Sequence, residues 1–189
     1  MGFLDALLGK RKIKGPAPDR LFAITTAAVT LQTQGIRPRG TAAIVFQPLA
    51  TGDFRQIATE MEEVVRGTGE ETGTTLETKD DTYGYRWMVL RDDDVEDLAV
   101  GINAVSDALQ VGGYGDRVLC AVFAFEDADG RPIYFIYNYK RGTWYPFVPA
   151  GGQQQRDNER ELQVKAQLGA ELPIEPELER WFPLWGAPI

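Results

Sequence analysis

The side chains in this sequence that are best suited to chemistry are few, and their spacing argues against most reaction classes. Cys120 is the lone cysteine and histidine is absent, so a histidine-assisted serine or cysteine nucleophile cannot be assembled. Cys120 lies in the run Val-Leu-Cys-Ala-Val-Phe from Val118 to Phe123, where a thiol packs as a small hydrophobe and does not react as a thiolate. Ser106, the only serine, falls inside a helical pattern. Zinc needs several Cys or His ligands, which this chain does not have. Carboxylates remain. Asp127-Ala-Asp-Gly130 resembles part of a calcium loop without the other ligands or the distal glutamate, and reads as a hairpin turn. Asp92, Asp93 and Asp94 precede a helical pattern, where capping and the helix dipole account for them. Gly112-Gly-Tyr-Gly115 follows a helix and precedes a strand, the reverse of the phosphate-loop order. No catalytic, cofactor-binding or metal-ligating set is assigned. The expectation is a protein that binds and does not catalyse, with a carboxylate-dependent hydrolase as the alternative that scattered acids leave open.

The elements that would position any such groups follow from periodicity. Asp19 to Gln34 reads as a helix with Leu21, Phe22, Ile24, Ala28, Val29 and Leu31 apolar, stopped by Gly35. Thr41 to Gln47 is a short apolar strand. Asp53, with Gln56 three residues on, opens a second helix carrying Phe54, Ile57, Ala58, Met61, Val64 and Val65, and Gly67 and Gly69 are expected to end it. Thr74 to Thr78 and Tyr85 to Leu90 form two strands around a turn, and a third helix runs from Asp92–Asp94 to Val111 with Val95, Leu98, Ala99, Ile102, Val105 and Leu109 as its stripe. Three strands follow, Val118 to Phe125, Ile133 to Tyr139 and Thr143 to Val148, joined by short hairpin connectors. Gln153 to Leu168 reads as a polar helix with Leu162 and Ala166 as its apolar positions, and Pro176-Glu177 begins a last short helix. Hairpins predominate and sustained strand–helix–strand alternation is missing. The fold class is α+β, an antiparallel sheet with helices packed on it.

The chain divides into a head and linker, residues 1–15, and one α+β domain, 16–189, a normal size for a single core. The formal charge is −8. Lys10, Arg11, Lys12 and Lys14 against Asp5 give the first fourteen residues +3, which leaves −11 for the rest. So acidic a body disfavours nucleic acid as a partner. One cysteine, no apolar run of roughly eighteen residues and no signal-peptide pattern indicate a cytoplasmic protein. Two segments stand out as contact surfaces. In the head, Phe3, Leu4, Leu7 and Leu8 form an apolar ridge beside Lys10, Arg11, Lys12 and Lys14, which suits docking on an anionic membrane or a partner, with packing on the protein's own core as the plainer reading. In the tail, Trp181, Phe182 and Trp185 either close the core or form a partner-binding surface. Tyr134, Tyr137, Tyr139, Trp144 and Tyr145 mark a further aromatic face.

The opening Met1-Gly-Phe-Leu-Asp-Ala-Leu-Leu-Gly9 with its basic continuation, Asp19-Arg-Leu-Phe-Ala-Ile24, Ala28-Val-Thr-Leu31, Tyr134-Phe-Ile-Tyr-Asn138 and the Trp-rich end resemble the actinobacterial PspA-associated family PspAB over the full length. That resemblance implies a non-enzymatic adaptor in the phage-shock (envelope-stress) system, partnered with a PspA-like coiled-coil protein and peripheral at the inner face of the plasma membrane. It carries over no catalytic residue. The element order is also similar to YbjN and type III secretion chaperone-like domains, which implies a second alternative, a homodimer that shields a client segment.

Overall fold

The computed structural model describes residues 18–152 and 154–189. The head residues Phe3, Leu4, Leu7, Leu8, Lys10, Arg11, Lys12 and Lys14 lie outside this range. The elements run α1 (Pro18–Thr33), β1 (Arg37–Phe46), α2 (Gly52–Thr72), β2 (Thr75–Asp80), β3 (Arg86–Arg91), α3 (Val95–Val111), β4 (Val118–Glu126), β5 (Pro132–Asn138), β6 (Thr143–Phe147), β7 (Pro149–Ala150), β8 (Gln155–Arg156) and α4 (Asn158–Leu168). β1 to β6 form one six-stranded sheet in the order β2-β3-β1-β4-β5-β6, with every pairing antiparallel, and β7 and β8 form a small separate ladder. The chain is therefore α+β, as its hairpin-rich pattern requires.

Period-two alternation sorts the strand residues into two apolar layers. Ala42, Ile44, Phe46, Met88, Leu90, Ala121, Phe123, Phe125, Ile133, Phe135 and Tyr137 face the helices. α3 lies across this face and buries Val95, Leu98, Ala99, Ile102, Val105 and Leu109, the whole stripe read from its sequence. The alternate residues Ala43, Val45, Trp87, Val89, Cys120, Val122, Ile136, Tyr145 and Phe147 form a second layer on the opposite face. Among the described residues no helix covers that layer. The chain after α4 does, with Ile174, Trp181, Leu184, Trp185, Ala187 and Ile189. The expected aromatic face is consequently split: Tyr137 and Trp144 point into the helix layer, while Tyr134 and Tyr145 belong to the tail side.

Four elements differ from those the sequence suggests. β1 starts at Arg37, before Pro38 and Gly40, because a bulge between Pro38 and Thr41 lets the strand stay paired through two residues that usually break it. The cap of α2 is Thr51, whose hydroxyl accepts from the Phe54 N–H at 3.4 Å, and Gln56 instead bonds Glu60. α2 also runs through Gly67 and Gly69 to Thr72 and ends at Gly73, whose left-handed φ of 92° lets its N–H return to the Gly69 carbonyl. Gly69 is there for close approach: a Cβ at this position would stand 2.1 Å from the Thr74 carbonyl oxygen. Gly69→Ala is expected to lose about 1–3 kcal/mol in a urea titration, whereas the same change at the open Gly67 should cost nothing measurable.

The third and fourth corrections concern the C-terminal half. α4 starts at Asn158, and buries Glu161, Val164 and Leu168, leaving Leu162 and Ala166 exposed. Its inward face thus includes a carboxylate, which hydrophobic periodicity cannot flag. The expected last helix is a single 3-10 turn, Leu178–Arg180.

Candidate functional site

Buried carboxylates are the first place to look for chemistry, and each is engaged in holding two segments together. Glu161, 2% exposed, accepts from the Val148 N–H at 3.0 Å and from Nε of Arg156, whose Nη2 lies 2.9 Å away as an ion pair. Burial pushes its pKa above the ordinary value, against the pull of those donors. Glu175, 1% exposed, takes the Arg141 guanidinium, the Thr143 hydroxyl and the Glu177 N–H. Burial also opposes its charge, but here the donors outweigh it and hold the carboxyl below the usual range. Asp127 shows the same balance: burial is outweighed by the N–H groups of Arg131 and Asp129 and by the Arg131 guanidinium, so its pKa is lowered. It forms the hairpin turn its sequence suggests, at the rim of a polar hollow of about 400 Å³ shared with Asp157, Glu159 and Arg160. Asp94 caps α3 through the Glu96 N–H. Among the described residues no group of three Cys, Asp or Glu is disposed to hold a metal. Burial pushes the Cys120 thiol up to about 12.

The sign of the pH dependence follows. A carboxylate whose pKa is depressed on folding stabilises the fold above its unfolded value and loses that contribution as pH falls through the folded value. Asp80, Asp81, Asp127 and Glu175 all behave this way. The thermal midpoint should therefore fall as the solution is acidified below about 4.5, the ordinary Glu value, and Glu175→Gln should flatten that fall while lowering the midpoint at neutral pH.

The tail face offers a different kind of site. The three aromatic residues singled out in the tail are placed differently. Trp181 is 4% exposed, stacks on Tyr145 with centroids 6.3 Å apart, and donates its Nε1–H to the Glu175 carbonyl at 3.0 Å. Arg156 reaches the Trp181 carbonyl and the Tyr145 hydroxyl reaches that of Phe182. Phe182 projects outward, 58% exposed. Trp185 meets Phe147 edge-on at 5.0 Å and forms one wall of a cleft of about 960 Å³.

The β2–β3 turn forms the opposite wall, with Lys79, Asp80, Tyr83 and Trp87. Asp81 organises this turn. Its Oδ1 accepts from the N–H groups of Tyr83 and Tyr85 at 2.8 and 3.0 Å, and its Oδ2 from Trp87 Nε1 at 2.9 Å. Burial opposes its charge, and these donors outweigh that and keep its pKa low. Asp80 is clamped by both arms of Arg86 at 2.7 and 2.9 Å. The carboxylates at this cleft are thus occupied with turn geometry. What remains available is aromatic surface: Tyr83, 74% exposed, and the Trp185 wall. Sequence reasoning missed Tyr83 and Trp87. The available signal was a tyrosine in a tight Asp-Asp-Thr-Tyr-Gly turn, but the cleft exists only because a segment about a hundred residues later in the chain lies beside it.

Among the described residues no helix is long and apolar enough to cross a membrane. No curated protein and no solved structure matches the chain. The family model PspAB, described as PspA associated protein B, matches residues 1–189. A full-length match joins the head, the sheet and the tryptophan tail in one family pattern, and the chain belongs to the PspA associated protein B family.

Proposed function

We propose that this chain is a non-enzymatic, protein-binding adaptor that associates with a PspA-like coiled-coil protein through the tail face of its sheet. The family description supplies the partner. The observation that carries the reading is the pairing of exposed aromatic surface with a fixed frame. Tyr83 and Phe182 stand out from a turn and a tail that are tied down by Asp81, Tyr145 and Arg156. Aromatic groups already held in place lose little freedom on binding, so they make effective contact points.

Calorimetry of the full chain with a purified PspA-like protein tests this. Tyr83→Ala with Phe182→Ala should weaken binding by at least about tenfold with an unchanged thermal midpoint. Undiminished affinity would remove the tail face as the contact. The head, with its apolar ridge and +3 charge, is the proposed contact with the inner face of the plasma membrane. Flotation with anionic liposomes should recover the full chain and lose a version without residues 1–14, and equal recovery would end that part of the reading.

A further inference from the structure

The two edges of the sheet are finished differently, and the difference is consistent to the single backbone group. Hydrogen-bonding direction alternates along an antiparallel strand. On β6 and the residue that follows it, the outward-facing residues are Trp144, Pro146 and Val148. The Trp144 N–H donates to the Pro173 carbonyl and its own carbonyl accepts from the Glu175 N–H. Pro146 has no N–H to offer. The Val148 N–H goes to Glu161 and its carbonyl to the Asp157 N–H. No outward N–H is left free on that edge.

β2 is the other edge. The Asp81 N–H bonds the Tyr85 carbonyl across the hairpin, so with the register Lys79↔Trp87, Glu77↔Val89 and Thr75↔Arg91 the odd residues bond inward to β3. Leu76, Thr78 and Asp80 turn their N–H and C=O groups outward, and no hydrogen bond among the described residues reaches them. An open edge of this kind is a template for another strand.

The sequence of β2, Thr-Leu-Glu-Thr-Lys-Asp, carries a pair of opposite charges that match when it is read backwards against itself. With Thr78 opposite Thr78 of a second copy on a two-fold axis, Leu76 faces Asp80 and Glu77 faces Lys79. The parity agrees: Thr78:Thr78, Leu76:Asp80 and Asp80:Leu76 become the hydrogen-bonded pairs, each exchanging two bonds. Glu77:Lys79 and its symmetry mate fall at the non-bonded positions, where facing side chains come closest. Glu77 and Lys79 already lie on one face, 3.0 Å apart within the chain, so the cross-copy pairs form without turning either side chain to the other face. The one-residue alternative, with the axis between Thr78 and Lys79, would set outward groups opposite inward ones and lose the ladder.

We infer that β2 pairs with β2 of a second copy of this chain, antiparallel about Thr78, and joins the two sheets into one continuous sheet. This surface shares Lys79 and Asp80 with the rim of the aromatic cleft proposed to meet a partner, but it uses neither Tyr83 nor Phe182, so the two readings are tested by different substitutions. The dimer would carry two such clefts and engage a repetitive partner bivalently.

Sedimentation of the full chain over a concentration series tests the inference. The expected species has twice the 21.0 kDa chain mass. Thr78→Pro removes an outward N–H that β3 does not use, a change an edge strand tolerates, and should leave only monomer with the fold retained by circular dichroism. Glu77→Lys sets lysine against lysine twice across the axis and should raise the dimer dissociation constant at least about tenfold. Adding Lys79→Glu restores opposite charges in the swapped sense and should recover dimerisation. A wild-type monomer at every concentration, a dimer indifferent to both single changes, or no recovery in the double variant would each overturn the pairing.

Discussion

Trp181→Ala should destabilise the fold by about 3–5 kcal/mol, the range for deleting a buried tryptophan, and should do so by freeing the tail. The indole is the anchor of residues 173–189: it fills the second apolar layer, stacks on Tyr145, and donates to the Glu175 carbonyl. Beyond Phe182, whose carbonyl holds Tyr145, no hydrogen bond among the described residues ties the tail down, so its last residues depend on apolar contact alone. A urea titration gives the stability change. A thiol reagent gives its location, because Cys120 lies in the same layer, 9% exposed, with a pKa near 12 that keeps it unreactive. In the variant, modification of Cys120 under native conditions should rise well above the wild-type rate. An unchanged midpoint with a silent thiol would mean that the tail does not rest on this indole. Phe182→Ala is the control, and its exposed ring predicts almost no stability change.

Glu161→Ala should be comparably damaging, about 3–5 kcal/mol, the penalty for breaking a buried pair by removing one partner. The change leaves the Arg156 guanidinium without its carboxylate and the Val148 N–H without an acceptor, at the point where α4, β8 and the end of β6 meet. Glu161→Gln should cost less, because its amide oxygen still accepts from the Val148 N–H and Arg156 Nε, while its NH2 replaces the oxygen that faced the rest of the Arg156 guanidinium. Thermal denaturation of the two variants side by side checks the order. If both behaved like wild type, the buried carboxylate would be making no net contribution to joining these segments.

These predictions concern features that were unevenly legible in the sequence. The stripe on α3 was fully readable, because six apolar residues at helical spacing needed only one face of the sheet to cover them. The hairpins β4–β5 and β5–β6 were readable from their Asp-Gly and Arg-Gly connectors. The carboxylate on the inner face of α4 was not: Glu161 is buried by its partners Arg156 and Val148, and a polar residue satisfied in three dimensions looks like a surface residue in one. Gly69 misled for a related reason, since a helix keeps going through glycine when close packing against Thr74 rewards the missing Cβ. In the tail, the three aromatics looked alike in sequence, and the structure gave each a different role: anchor, outward ring and cleft wall.

By itself the sequence determined what this protein lacks and what its local segments become. It has no histidine and only one thiol, and its apolar periods of two and near 3.6 specify strands and helices through forces between residues a few positions apart. Only the tertiary structure decided which face the tail covers, that β6 is sealed by Pro173 and Glu175, and that β2 is left with outward backbone groups. Each of those outcomes depends on which distant segment supplies the more favourable hydrogen bond or apolar contact, and such pairings between remote parts of the chain leave no local pattern to read.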